Sequence, residues 1–334
     1  MTGRATPQQL AALVQHQQAA EAAALEEQTA TNADGGSDAA LAAVLAAATA
    51  GWVTAFGVLT AAGAGAALTA YLTKTRERIA HATADLDGRA ARIISHSLDD
   101  AATLGARHAV EFAARAAGTR FPIPEVSTPR EALEAARGAA AVVRAQLALS
   151  AELLSPRNVS SWRDVISGIG AARRAITLIR QTAAWAIHRA VNAGSQQAAH
   201  ALGARALWVA EPTACVRCAA YSGRLADRDG HFPGGLSLDP HQRAPHTAAI
   251  DGPPIHPFDR CRIVPWRDAW TRPGRAALPD LLREQAWRSA ASGHAQPSES
   301  RAARLRAAQY VSTLSGVPAG VRRQAHAAAA AGRF

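Results

Sequence analysis

Two thiols on one tight turn, Cys215 and Cys218, are spaced as Cys-x2-Cys, and a second close pair of donors, His256 and Cys261, follows across a loop. Two thiolates at this spacing can take two corners of a tetrahedron around Zn²⁺, and a His–Cys pair can complete it. Cys215, Cys218, His256 and Cys261 then form a Cys3His site with every position filled by protein. Such a set points to a structural zinc, because a catalytic zinc keeps one position open for water. Other uses of the thiols fit less well. A redox Cys-x2-Cys opens a helix after a strand in a βαβ unit, and no such unit surrounds Cys215. Three cysteines leave one over in any disulfide scheme, and a chain of 334 residues does not need such staples.

The stretch from Trp208 to Trp266 has a wider order. It runs Trp208-Val209, then Cys215-x2-Cys218-x4-Gly223, then Pro253-Pro254-x-His256-Pro257 and a closing Cys261-Arg262. This order resembles the C-terminal signature of the Mu F-like head-morphogenesis proteins, the minor head proteins of tailed bacteriophages. Family members usually close with His-Pro-x-Cys-Arg-Cys, whereas here Phe258-Asp259-Arg260 precedes a single Cys261. One thiol is missing, and Asp259 and His231 are the substitutes for the fourth ligand. The resemblance implies a structural zinc and no enzymatic activity. It also implies assembly into the capsid interior at or near the portal, with the portal and other head proteins as partners and the host cytoplasm as the place of assembly.

Two other functions remain in view. His231, His241 and His246 sit in the loop 224–252 and could act as bases in a zinc-assembled nuclease or other hydrolase. The sequence carries no His-Glu-x-x-His, Gly-x-Ser-x-Gly or P-loop motif to supply the rest of that chemistry. A nucleic-acid-binding zinc protein is the third reading, although no helix carries the His pair of a ββα finger. Charge bears on this choice. The net charge is +10, and residues 260–334 hold thirteen arginines against four acids (13 − 4 = +9). This basic segment favours an acidic partner, packaged DNA or a negative protein surface.

The elements that must position the site read as mainly α. Long helices form an N-terminal bundle, followed by a small zinc-stabilised α+β/loop module and a C-terminal helical tail. In chain order the regions are an N-terminal helical arm (1–37), a helical domain (38–203), the zinc-knuckle module (204–270) and a basic helical region (271–334). Residues 39–73 hold no charged side chain, a length sufficient to span a membrane. Their large apolar residues Leu41, Leu45, Trp52, Phe56 and Leu59 fall on one helical stripe, which favours a single long helix facing a core or another subunit. No apolar signal segment precedes them. A further helix covers 75–118, with His81, His96 and His108 on its polar face. Thr128 caps the next, with Glu131 reaching back, and Ser161 caps a helix over 162–202. Residues 207–209 and 262–264 read as short strands whose pairing brings Cys218 to Cys261. Helices follow over 278–292 and from a cap at Ser298, and the chain beyond Pro318 reads as a frayed end.

Overall fold

A computed structural model of the chain describes residues 4–57, 65–244, 247–271, 274, 276–292 and 299–332. The protein is mainly helical, with one small antiparallel sheet flanked in the chain by helices. The helices are α1 (Pro7–Ala12), α2 (Ala19–Asp34), α3 (Ser37–Phe56), α4 (Gly65–Ala82), α5 (Leu86–Ala117), α6 (Arg130–Leu153) and α7 (Trp162–Ala201), then α8 (Val216–Tyr221), α9 (Leu278–Ala290), α10 (Arg301–Thr313) and α11 (Ala319–Ala331). A π-helical stretch, Leu13–Gln18, joins α1 to α2. The strands are β1 (Arg205–Val209) and β2 (Arg262–Trp266).

Contacts divide the chain into two units, each built from separated pieces. A helical unit comprises Leu25–Leu98 and Arg130–Ile187, and a second unit, which holds the candidate metal-site residues, comprises Met1–Ala24, Asp99–Pro129 and His188–Phe334.

In the helical unit, Leu41, Val44, Ala48 and Trp52 form the buried stripe of α3, and Leu68, Leu72, Thr75 and Ile79 that of α4. Both stripes advance by three or four residues, as a helix face requires. Gly57 ends α3 in the left-handed region, with φ 63°, and its N–H bonds to Val53 O. A residue without Cβ adopts this stop at little cost. The uncharged stretch 39–73, expected as one helix, is therefore shared between two. They meet where Tyr71 donates its hydroxyl to Ala48 O at 2.8 Å and Trp52 lies 5.6 Å from the Tyr71 ring. Leu59 lies outside the described residues. Among those described, α3 alone is long and apolar enough to cross a membrane, by length and composition. The helix expected over 75–118 also breaks, at a turn where Asp85 takes φ 54°.

Two helix starts differ in detail from expectation. α6 begins at Arg130, and the Thr128 hydroxyl donates to Asp99. At the start of α7, Asp164 Oδ2 accepts from the backbone N–H of Ser160 and Ser161 at 2.9 and 2.8 Å, closing the cap from inside the helix.

The second unit is built where α5 and α7 cross at two glycines. A Cβ at Gly105 would lie 1.8 Å from Val191 O, and one at Gly194 would lie 1.9 Å from Ala102 O. α1 packs Leu10 into a core with Trp266 of β2 and Leu278 and Leu282 of α9. α10 and α11 bury Ala303, Ala307, Val311, Val321 and Ala325 in the same core as Trp208, Cys218 and Tyr221. The C-terminal helices, expected to end in a frayed tail, are thus docked as far as Ala325. Ser300, not Ser298, caps α10, its hydroxyl accepting from Ala303 N at 3.1 Å. Ser298 lies outside the described residues.

Candidate metal centre

β1 and β2 pair antiparallel with Leu207 opposite Val264, Trp208 opposite Ile263 and Val209 opposite Arg262. This register places the residue after β1 and the residue before β2 at the same end of the ribbon. The chain leaves β1, turns, and enters α8 with Cys215 at the N-cap and Cys218 inside the first turn. Cys261 arrives directly ahead of β2.

The donors gather in two overlapping groups. The ligand atoms of Cys215, Cys218 and His256 lie within 4.8 Å of one another, and so do those of Cys218, Asp259 and Cys261. Cys218 belongs to both. His256 Nε2 is 3.3 Å from Cys215 Sγ and 3.2 Å from Cys218 Sγ. With Zn–S near 2.3 Å and Zn–N near 2.0–2.1 Å, a tetrahedron has S···N edges of about 3.5 Å, so the gathered atoms need only a small expansion. His256 Nδ1 faces Pro257 O at 2.8 Å. Donation to that carbonyl fixes the ring so that Nε2 points at the sulfurs, the usual way a ligating imidazole is oriented. All three thiols are buried and free of disulfides.

Without an ion the cluster holds its protons unevenly. The hydrogen bond from Cys218, aided by His256, holds Cys215 down to about 4. Its bond with Cys215 raises His256 to about 9, while burial pushes Cys261 up to about 12. Cys218 is also raised, first through its hydrogen bond with Cys215. A bound metal would replace the protons on His256, Cys218 and Cys261.

Asp259 is buried, and both its oxygens hold backbone: Oδ1 accepts from Cys261 N at 2.9 Å and Oδ2 from Ile255 N at 2.8 Å. It brackets the turn between His256 and Cys261, so the substitute ligand considered from sequence has a second task here. Asn192 on α7 was not found from sequence. Buried among apolar neighbours, it donates to Cys261 O at 3.0 Å and accepts from Ile263 N at 2.9 Å, clamping β2 at the cluster. A polar residue on the apolar face of a long helix was the available signal, since a buried amide must find partners. Glu299 accepts from Val216 N at 2.8 Å and pairs with buried Arg304, which ties α10 to the start of α8. Gly223, at φ 73°, lets α9 approach: a Cβ there would sit 2.1 Å from Pro279 O.

Next to Cys261, Arg262 is buried and donates to His108 Nδ1 at 2.8 Å, while His108 Nε2 meets Glu21 Oε2 at 3.1 Å. His108 is itself buried. Its expected place on a polar face was wrong, because the polar partners it needs come from other segments. As acceptor for Arg262, Nδ1 must be unprotonated, so the neutral ring donates from Nε2 to Glu21. Burial, then the charge of Arg262, pushes His108 down to about 4. The unfolded chain, with an ordinary histidine near 6.5, takes the proton first. This contribution is therefore intact above about pH 6.5 and is lost as pH falls toward 4, by about 3 kcal/mol. Thermal melts at pH 7 and 4.5 should show a larger loss in wild type than in His108→Gln, whose amide keeps one donor and one acceptor. Equal losses would place the titration elsewhere.

Among the described residues, the loop histidines His231 and His241 are not part of the cluster. His231 Nδ1 contacts Asp251 Oδ1 at 2.8 Å, and Asp251 also holds Arg189 at 3.0 Å. His231 is therefore committed to the loop and is not a fourth ligand in this arrangement. His241 lies on a short 3₁₀ turn, Pro240–Gln242, with Asp239 accepting from its N–H, and His246 lies outside the described residues. No family model matches the chain, and neither a curated protein nor a solved structure matches it at a significant level.

Proposed function

We propose that the chain is a structural protein of a tailed-phage head, of the Mu F-like head-morphogenesis type, with a closed zinc site that pins its β module. The observation that carries this reading is the meeting of remote motif residues in one buried cluster, with Cys218 shared by both of its halves. Three sulfurs and an imidazole suit zinc and disfavour hard cations. Cys215, Cys218, His256 and Cys261 would hold the ion, with Asp259 left to brace the backbone. The ion would supply a crosslink and no reaction. A two-stranded ribbon is marginal by itself, and a metal closing the loop between its strands offsets that weakness.

The resemblance carried by Trp208 to Arg262 supplies the rest: the portal and other head proteins as partners, the virion as location, and contact with packaged DNA through exposed arginines near the C-terminus. Fewer of those arginines are free than the sequence suggests, since Arg262 and Arg304 are buried and Arg306 pairs with Asp239 at 2.7 Å. The second reading, a hydrolase, draws on the His231–Asp251 contact at 2.8 Å.

Elemental analysis of purified protein should find one zinc per chain. Particles grown with the gene interrupted should lack filled heads, and complementation should restore both heads and the chain within them. Infectious particles formed without the chain would sink the head reading. Phosphodiester turnover that disappears in His231→Ala would favour the hydrolase.

A further inference from the structure

A cavity of about 330 Å³ lies among residues of α8, α9, α10 and the loop 236–243. Arg224, Arg243 and Arg283 line it, and among the described residues no carboxylate does. Asp280 pairs with Arg283 at 3.1 Å but is not part of the lining. Among the described residues, Arg224 and Arg243 have no carboxylate partner. Each uses its Nε on a backbone carbonyl, Ala220 O and Ser237 O respectively, both at 2.9 Å. Those bonds fix the guanidinium planes and leave the Nη edges for another acceptor. Arg243 lies 4.0 Å over the Tyr310 ring, and Trp287 and Leu236 add an apolar wall.

Arg224 and Arg243 are exposed at the rim of the cavity, each anchored through its Nε. Arg224 is pushed below its usual value by the partial burial of its guanidinium and then by the charge of Arg283, which also lines the cavity. An oxyanion between them would relieve that repulsion and could accept paired N–H donors from a guanidinium fork. The cavity falls at the lower end of small-molecule pockets, ~300–1,000 Å³, and is larger than a bare phosphate needs. Aromatic rings beside arginines are also the surface on which a nucleobase rests.

We propose that this cavity binds a nucleotide unit, its phosphate held by Arg224 and Arg243 and its base against Trp287 and Tyr310. The assignment stands independently of the head-assembly reading. It is tested by calorimetric titration of the full chain with thymidine 5′-monophosphate, with inorganic phosphate and a short 5′-phosphorylated single strand as competitors. We expect saturable one-site binding that weakens at least tenfold in Arg224→Gln/Arg243→Gln. It should be unchanged in Arg217→Gln, an exposed arginine outside the lining. Competition by the strand makes nucleic acid the source of the unit, and its failure makes a free nucleotide the ligand. Absence of saturable binding, inorganic phosphate binding as tightly as the nucleotide, or an equal loss in Arg217→Gln would overturn the proposal. If the double variant loses its native melt, the two single variants read the same contrast.

Discussion

Cys218→Ser is expected to abolish metal binding and to make the melting temperature insensitive to chelator. Cys218 is the one residue common to the two donor groups, so its loss breaks both, whereas Cys215→Ser or Cys261→Ser breaks one. The magnitude is decisive. Structural zinc in finger peptides contributes roughly 10–16 kcal/mol of apparent folding free energy, against a net stability of about 5–15 kcal/mol for an ordinary domain. Wild type melted with and without chelator should therefore show a large drop in the transition of the unit that contains the ribbon, and the variant should sit at the lower value in both. Asp259→Asn should keep its zinc while losing stability, because Asp259 holds backbone N–H groups at Ile255 and Cys261. A Cys218→Ser protein with full zinc and a chelator-sensitive melt would remove the basis for the zinc reading.

The second large effect lies away from the cluster. Replacing a helical glycine with alanine ordinarily stabilises a helix by about 1 kcal/mol. Gly105→Ala and Gly194→Ala should do the opposite. Their new methyl groups would meet backbone carbonyl oxygens at 1.8 and 1.9 Å, and no side chain can rotate out of the way. Parting α5 from α7 would also stretch the Ser195 hydroxyl away from Gly105 O, now 2.9 Å distant. Overpacking of this kind costs about 3 kcal/mol or more, so sterics outweigh propensity. Gly138→Ala is the internal control, since nothing lies within 4 Å of its added Cβ. It should stabilise by about 1 kcal/mol. Denaturant melts of the three variants check the sign, and a neutral Gly105→Ala would mean that the two helices can separate at little cost.

Local signals were the legible ones. The Cys-x2-Cys spacing marked a turn that could carry two thiols, and β-branched and aromatic residues at 207–209 and 262–264 marked the strands that deliver them. The apolar series Val165, Ile169, Ile176, Ile179, Ala183 and Ile187 is buried along α7. What stayed hidden depended on partners remote in the chain. A helical pattern defines a face without naming what covers it, so His108 looked exposed until Arg262 and Glu21 arrived beside it. The same holds for Asn192, whose partners flank Arg262, and for Glu299 and Arg304, which count among the charges of the segment 260–334 but have side chains buried together. Gly57 was visible as a letter in an uncharged stretch. Its left-handed φ, which ends α3, belongs to the backbone and not to hydropathy.

The interleaving of the two units sets an order on the ribosome. Every piece of the helical unit has been synthesised by Ile187, whereas the other unit still lacks its largest piece at that moment. α1 needs Leu278 and Leu282 to complete its core. At about 5–20 residues per second, the roughly 95 residues from 188 to 282 take about 5–20 s to add. During that interval the first helix has Phe112 and Ala116 of α5 beside it but lacks Trp266, Leu278 and Leu282, and the first two thiols emerge before the strand that gathers them. Slower translation over this stretch prolongs the interval in which both wait for their partners.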